Sequence, residues 1–282
     1  MAVIYGTPFP DDIFGTNGRD IIYGRGGDDF ISGGGGDDDL FGQGGDDYLV
    51  GGFGIDFFDG GPGFDLVDFS YTSEPVDVDL IAGNAIFAGG AVEALISIED
   101  IIGSRGSDII AGNGADNILA GDDGNDLIDG RGGWDDLYGD RGNDDLFGGG
   151  GNDFLFGGGG RDFLAGQDGR DRLFGDAGRD TLRGGNGSDT LIGGAGDDDL
   201  TGNAGVDFFR FANGTDWDLV TDFTPGVDLI DLRPYAGISR FSDLAFFKDS
   251  SGNVVVELLG GDRITLEGIT NVNQLDSSDF LF

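Results

Sequence analysis

Residues 148–165 read Gly-Gly-Gly-Gly-Asn-Asp-Phe-Leu-Phe-Gly-Gly-Gly-Gly-Arg-Asp-Phe-Leu-Ala, one nine-residue phrase written twice. Its fixed marks are an aspartate (Asp153, Asp162), a large apolar residue two places later (Leu155, Leu164) and a glycine two places earlier (Gly151, Gly160). Stepping outward by nines finds Asp108, Asn117, Asp126, Asp135 and Asp144 on one side. On the other it finds Asp171, Asp180, Asp189, Asp198 and Asp207. A second run, out of phase with the first, carries Asp11, Asp20, Asp29, Asp38, Asp47, Asp56 and Asp65. A short internal period of this kind marks a solenoid, whose repeats bury their apolar faces only against their neighbours.

The aspartate is taken as position 6. Position 8 is then Ile13, Ile22, Ile31, Leu40, Leu49, Phe58 and Val67 in the first array, and Ile110 through Phe209 in the second. Positions 7 to 9 read as a three-residue strand with its middle side chain inward. Positions 1 to 6 read as a turn. Glycine at positions 1 and 4 lets that backbone reach φ > 0 and lie close to the next turn. Two phrases make an 18-residue coil of strand, turn, strand, turn. Coils stacked by parallel pairing at about 4.8 Å give an all-β fold with two short sheets closed on the position-8 residues.

Composition agrees. The 282 residues include 60 Gly and 6 Pro, a content that without phase would signal a flexible segment. The 15 basic residues face 54 acidic ones, net −39. Self-repulsion of that size opposes compaction and argues against nucleic acid or an anionic membrane as partner. Cysteine and histidine are absent, which removes disulfides, thiolate sites, the commonest zinc ligand and the commonest general base. Carboxylates and backbone carbonyls remain, and these hard oxygen ligands suit calcium. The N-terminal stretch lacks the basic and apolar regions of a cleaved secretory signal, and no run is long enough for a membrane span.

The phrases Gly149-Gly150-Gly151-Asn152-Asp153-Phe154-Leu155 and Gly193-Gly194-Ala195-Gly196-Asp197-Asp198-Asp199-Leu200 resemble the repeats-in-toxin (RTX), or haemolysin-type calcium-binding, nonapeptide. The resemblance implies a right-handed parallel β-roll solenoid with calcium ions held between neighbouring turns on each edge. It also implies a bacterial protein, secreted by type I machinery and extracellular.

Spacing leads to calcium as well. Residues 18 apart stack on one edge, so Asp144, Asp162, Asp180 and Asp198 form a column. Asp135, Asp153, Asp171, Asp189 and Asp207 form the opposite one. Bare carboxylates about 5 Å apart repel, and a divalent ion between them reverses the sign. The expected metal ligands are Asp11, Asp20, Asp29, Asp38, Asp47, Asp56, Asp65, Asp108, Asp126, Asp135, Asp144, Asp153, Asp162, Asp171, Asp180, Asp189, Asp198 and Asp207. Together they would hold about 10–15 calcium ions. Asn117 and Ala115 replace Asp and Gly in one unit, where weak or absent binding is expected.

Four regions follow: a first array (1–68), an irregular β spacer (69–102), a second array (103–210) and a C-terminal β cap (211–282). In the spacer, Val76-Asp77-Val78-Asp79-Leu80 alternates with period two, as a strand does. In the tail, strands are expected at 227–232, 244–247, 254–259 and 263–266. They would cover the raw sheet end of the solenoid. The tail is also similar to the C-terminal regions that export RTX proteins.

No enzyme is expected. Histidine-based triads and HExxH are excluded by composition, and there is no GxSxG elbow, P-loop or EF-hand loop. Outward turn positions are mixed (Arg25, Gly34, Gln43, Asp122, Gln167, Asp176), so a flat ice-binding ladder is excluded. The expected function is calcium binding with calcium-induced folding of a secreted, non-enzymatic surface or adhesion protein. The alternative is a carbohydrate-active enzyme or its polysaccharide-binding accessory module. Its sequence basis is the cluster Arg161, Arg170, Arg172, Arg179 and Arg183, which otherwise reads as charge balance beside the aspartate columns.

Overall fold

The computed structural model describes residues 1–214 and 216–282. The chain is an all-β parallel solenoid. Among the described residues, helix is limited to the 3-10 turns Phe241–Asp243, Leu259–Gly261 and Val272–Gln274. None of its helices is long and apolar enough to cross a membrane. Two compact units divide it, Met1–Gly132 and Gly133–Phe282.

In the first unit, Val3–Tyr5, Ile21–Tyr23, Asp39–Phe41 and Phe57–Asp59 pair in parallel on one face, with Ile22 opposite Leu40 and Leu40 opposite Phe58. Asp12–Phe14, Phe30–Gly35, Tyr48–Phe53 and Leu66–Asp68 form the other face. Each register step is one coil, so every position-8 side chain lands on another. Ile22, Leu40, Leu49 and Phe58 are fully buried as a result. Positions 7 and 9 point outward, and in this unit they build aromatic ladders. Tyr5, Tyr23 and Phe41 stack at 5.2 and 4.9 Å, and Phe30 stacks on Tyr48 at 5.5 Å.

The spacer enters the first face as an antiparallel meander. Val92–Ile96 runs parallel to Phe57–Asp59, Asn84–Phe87 pairs antiparallel with it, and Val76–Asp79 pairs antiparallel with Asn84–Phe87. Val76–Asp79 then pairs in parallel with Ile109–Ala111, where the nonapeptide resumes. On the other face Asp100–Ile102 alone lies between Leu66–Asp68 and Ile118–Ala120. The Arg131 guanidinium ties the spacer to the resumed coils through Asp79 (2.8 and 2.9 Å) and the Gly112 carbonyl (2.8 Å).

In the second unit the strands are longer than the sequence suggests. Asp145–Gly151, Phe163–Gly169 and Thr181–Gly187 each span seven residues. Pairing continues through the turns, with Gly149 opposite Gln167 and Gly151 opposite Gly169. The turns share one conformation and stack, so their amides find partners one coil away instead of water. The tail continues both faces. Trp217–Val220 follows Asp199–Gly205 and is followed by Arg263–Leu266 in parallel. Val254–Glu257 and Ala245–Lys248 then reverse to antiparallel. Leu229–Asp231 and Phe280–Leu281 extend the other face.

Candidate metal centre

The aspartates form columns, and one oxygen of each holds the column together. The Asp20 N–H donates to Asp38 Oδ1 at 2.7 Å, and the Asp38 N–H to Asp56 Oδ1 at 2.8 Å. The pattern repeats from Asp29 to Asp47, from Asp162 to Asp180 and from Asp171 to Asp189, each at 2.9 Å. The side chains face inward at the coil corners, and Asp135, Asp144, Asp153, Asp171, Asp180 and Asp189 have no exposed surface. Asp126 takes part through the Asp108 N–H.

The second oxygen is different. Oδ2 of Asp29, Asp38, Asp47, Asp56, Asp65, Asp162, Asp171, Asp180, Asp189, Asp198 and Asp207 is buried with no hydrogen-bond donor. It lies against the position-1 glycine of its own turn, and at Asp29, Asp38, Asp47, Asp162, Asp180 and Asp189 a carbonyl of the next coil closes on the same point. A Cβ built on Gly157 would stand 2.6 Å from Asp162 Oδ2 and 2.9 Å from the Gly175 oxygen. One built on Gly175 would stand 2.6 Å from Asp180 Oδ2 and 2.5 Å from the Gly193 oxygen. Position 1 is thus glycine because this oxygen-lined cradle leaves no room. Its φ is not positive. Positive φ falls instead at position 2, where Arg25, Gln43, Asp122, Arg131, Asp140, Gln167, Asp176 and Asn203 all adopt it without being glycine.

Four turns are built otherwise. At position 2 they carry Thr7, Thr16, Ser104 and Asn113, none with positive φ. Their amides close on the mark four residues later. Thr7 N–H reaches Asp11 Oδ2 at 2.5 Å, Ser104 N–H reaches Asp108 Oδ2 at 2.5 Å and Asn113 N–H reaches Asn117 Oδ1 at 3.0 Å. Thr16 donates both its N–H and its hydroxyl to Asp20 Oδ2, each at 2.7 Å. Hydroxyl and amide side chains favour such local turns, and a β-branched residue resists φ > 0. These closed turns also account for Ala115 and Asn117. Position 4 there is not left-handed, and an amide oxygen accepts the turn N–H as well as a carboxylate does.

The structure adds residues that the nine-residue ruler passes over. The columns continue past the arrays through Asp65 N–H to Glu99 Oε2 (3.0 Å), Asp198 N–H to Asp218 Oδ1 (3.1 Å) and Asp207 N–H to Asp228 Oδ1 (3.1 Å). The sequence signal that would have found them is an acid two places before a buried apolar residue: Glu99 and Ile101, Asp218 and Val220, Asp228 and Ile230.

Burial lifts the open-turn carboxyls in the metal-free chain. Asp56, Asp65, Asp171 and Asp180 are raised to about 7, and Asp47, Asp189, Asp198 and Asp207 to about 6. Loss of hydration is the main cause, and neighbouring carboxylates add to it. Asp20, in a closed turn, is lowered by its hydrogen bonds to Ala2 and Thr16. Among the described residues no three carboxylates converge on one point. An ion at an open turn would therefore combine carboxylate and carbonyl oxygens, the donor set that hard divalent cations take. Orphaned buried oxygens, a cradle without room for a side chain and all-oxygen donors fit calcium.

Stacked acidic turns on a parallel β-solenoid, with oxygen-lined corners, define a class of metal-binding repeat protein. The family model for the RTX calcium-binding nonapeptide repeat matches residues 5–40, 32–67, 97–128, 112–146, 147–182 and 183–217. These matches cover more than half of the chain, and it belongs to that family. Its repeats are calcium-binding repeats. Among solved structures it is similar to the extracellular lipase LipA from Serratia marcescens, with 17% identity and a TM-score of 0.31 over 97% of this chain and 40% of the lipase. It is also similar to two subunits of the Azotobacter vinelandii mannuronan C5-epimerase. AlgE6R3 is 26% identical with a TM-score of 0.28, over 46% of this chain and 80% of the subunit. AlgE6R2 is 28% identical with a TM-score of 0.21, over 49% of this chain and 91% of the subunit. The chain spans less than half the length of the lipase. No curated protein matches it in sequence.

Proposed function

We propose that this chain is a non-enzymatic, secreted protein whose fold is assembled by calcium outside the bacterial cell. The observation that carries the reading is the buried, donor-less Oδ2 at open turns such as those of Asp29, Asp38, Asp47, Asp162, Asp180 and Asp189, beside a carbonyl of the next coil. The proposed ligands are Asp29, Asp38, Asp47, Asp56, Asp65, Asp162, Asp171, Asp180, Asp189, Asp198 and Asp207. Asp126, Asp135, Asp144 and Asp153 join them on motif and on turn conformation. Asp11, Asp20 and Asp108 are not in the proposed set, because their turn amides occupy the oxygen an ion would need.

Bound calcium supplies positive charge at each corner. The chain's part is to hold the carboxylate by its other oxygen, keep water out and offer carbonyls. Sites with Kd near about 10⁻⁴ M fill in millimolar external calcium and stay empty in the cytosol, each then contributing about 1.4 kcal/mol. An unfolded state inside and a rigid state outside suit export through type I machinery, with the C-terminal cap carrying the signal. The test is circular dichroism at pH 7.5. In chelator the spectrum should be coil; millimolar calcium should bring the β spectrum and equal magnesium should not. A β spectrum in chelator would refute the reading.

A second reading, as a polysaccharide-binding module, is favoured by one surface. An open groove of about 820 Å³ in the second unit is lined by Trp134, Asn152, Phe154, Arg170, Arg172 and Ser188. The Arg172 guanidinium lies 5.2 Å from the Phe154 ring centre. Aromatic faces and guanidinium groups suit an anionic sugar chain. Titration of calcium-loaded protein with an acidic glycan, wild type against Arg170→Ala/Arg172→Ala, decides it. No heat with the wild type removes this reading.

A further inference from the structure

Where the first array meets the spacer, the repeat aspartate Asp56 is joined by a buried glutamate from outside the nonapeptide pattern. In the ladder of Tyr48–Phe53 with Leu66–Asp68, Leu49 faces Val67. Two residues further on, Phe69 stands where another coil would have the position-1 glycine, and its carbonyl accepts from the Thr72 N–H at 3.1 Å. The Asp56 turn therefore lacks the stacked turn that follows it elsewhere. In its place Tyr71, Thr72, Glu74, Phe87 and Ala91 face Gly52–Gly54 across a cavity of about 140 Å³.

The mark above Asp56 is filled from 37 residues away in the chain, at the start of Val92–Ile96. Ala94 is opposite Phe57, which sets Glu93 opposite Asp56. Glu93 is 1% exposed and neither carboxylate oxygen has a hydrogen-bond partner; Asp56 is 2% exposed and its Oδ2 has none. Burial and the Asp56 charge lift Glu93 to about 8, against a smaller downward pull from the nearby Asp56 N–H. Two adjoining desolvated carboxylates with three unpartnered oxygens are costly unless a cation lies between them.

We propose that Asp56 and Glu93 form an additional divalent-cation site that fastens the spacer to the first array. It rests on the calcium reading above and extends it to Glu93, which belongs to no nonapeptide. The longer glutamate supplies by side chain what the missing turn would supply by carbonyl. Burial, together with the charges of Glu93 and Asp56, also raises the Tyr71 phenol, so that ring adjoins the pair and can sensitise a bound lanthanide.

Full-length protein is crystallised with terbium in place of calcium, and anomalous density is compared between wild type and Glu93→Gln. A peak between Asp56 and Glu93, lost in the variant while the column peaks remain, is the expected result. In solution, Tyr71→Phe should remove part of the tyrosine-sensitised terbium emission, and Glu93→Gln should remove the same part. Column peaks with none at Glu93, or emission unchanged in both variants, overturn the proposal. Absence of peaks anywhere defeats the calcium reading itself.

Discussion

The turns at 7–20 and 104–117 share their spacing and apolar marks with the turns at 157–207, yet treat the same side-chain oxygen in opposite ways. In the first set the backbone amide of position 2, just after the glycine, closes on it. In the second that residue is left-handed and the oxygen is left without a donor. One torsion at position 2 thus separates a turn that satisfies its own carboxylate from one that leaves a carboxylate oxygen buried without a donor. Each array begins with two closed turns and continues with open ones. On the proposed reading, a metal-independent start is thereby joined to a metal-dependent run.

The sharpest break of this contrast is Gly160→Ala against Gly18→Ala. Gly160 has φ +147° and its Cβ would overlap the Gly142 carbonyl; Gly18 has open space and no positive φ. Gly160→Ala should lower stability in calcium by about 3 kcal/mol, and Gly18→Ala by no more than about 0.5 kcal/mol, in denaturant titrations. Equal losses would mean that the two turn types do not differ.

Next is Asp180→Ala against Asp20→Ala. Removing the Asp180 carboxylate should destabilise the calcium-loaded protein by about 1–2 kcal/mol, yet stabilise the chelated one by removing a buried charge. Asp20→Ala removes three hydrogen bonds and should cost about 1–2 kcal/mol in both conditions. The change of sign, read by thermal melts in calcium and by the pH at which the chelated protein loses its β signal, is the diagnostic.

Acidity should act as a weak substitute for metal. A carboxyl raised to about 7 in the folded chain keeps a proton that the unfolded chain releases near pH 4. The metal-free fold therefore loses stability as pH rises from about 4 to about 7. Chelated protein should regain β signal at pH 5 and lose it by pH 7.5, whereas calcium-loaded protein should hold it at pH 7.5. The smallest effect is Arg172→Ala, which gives up a cation–π contact worth about 0.5–1 kcal/mol and no calcium.

Much of this was legible in one dimension. The apolar position 8 gave the core, because a side chain two residues past each corner always returns to the axis, as Leu40 and Leu182 do. The acid column followed from the 18-residue coil. The two turn classes were partly written in the sequence, as Thr7, Thr16, Ser104 and Asn113 against Gly, Arg, Gln or Asp, with asparagine in both (Asn113 closed, Asn203 open), and the difference does not disturb the period. The spacer was less legible. Glu93 and Glu99 sit at no fixed distance from the marks they join, since the meander between Val76 and Ile96 sets the separation.

Periodicity alone determined the solenoid, the inward apolar marks and the acidic corners, because each repeat meets only its neighbours and local pattern is then global pattern. Which carboxylates are left wanting a cation was decided by the fold. That depends on whether an amide four residues away turns inward, and on which distant strand supplies the acid above, and both are fixed only once the coils are stacked.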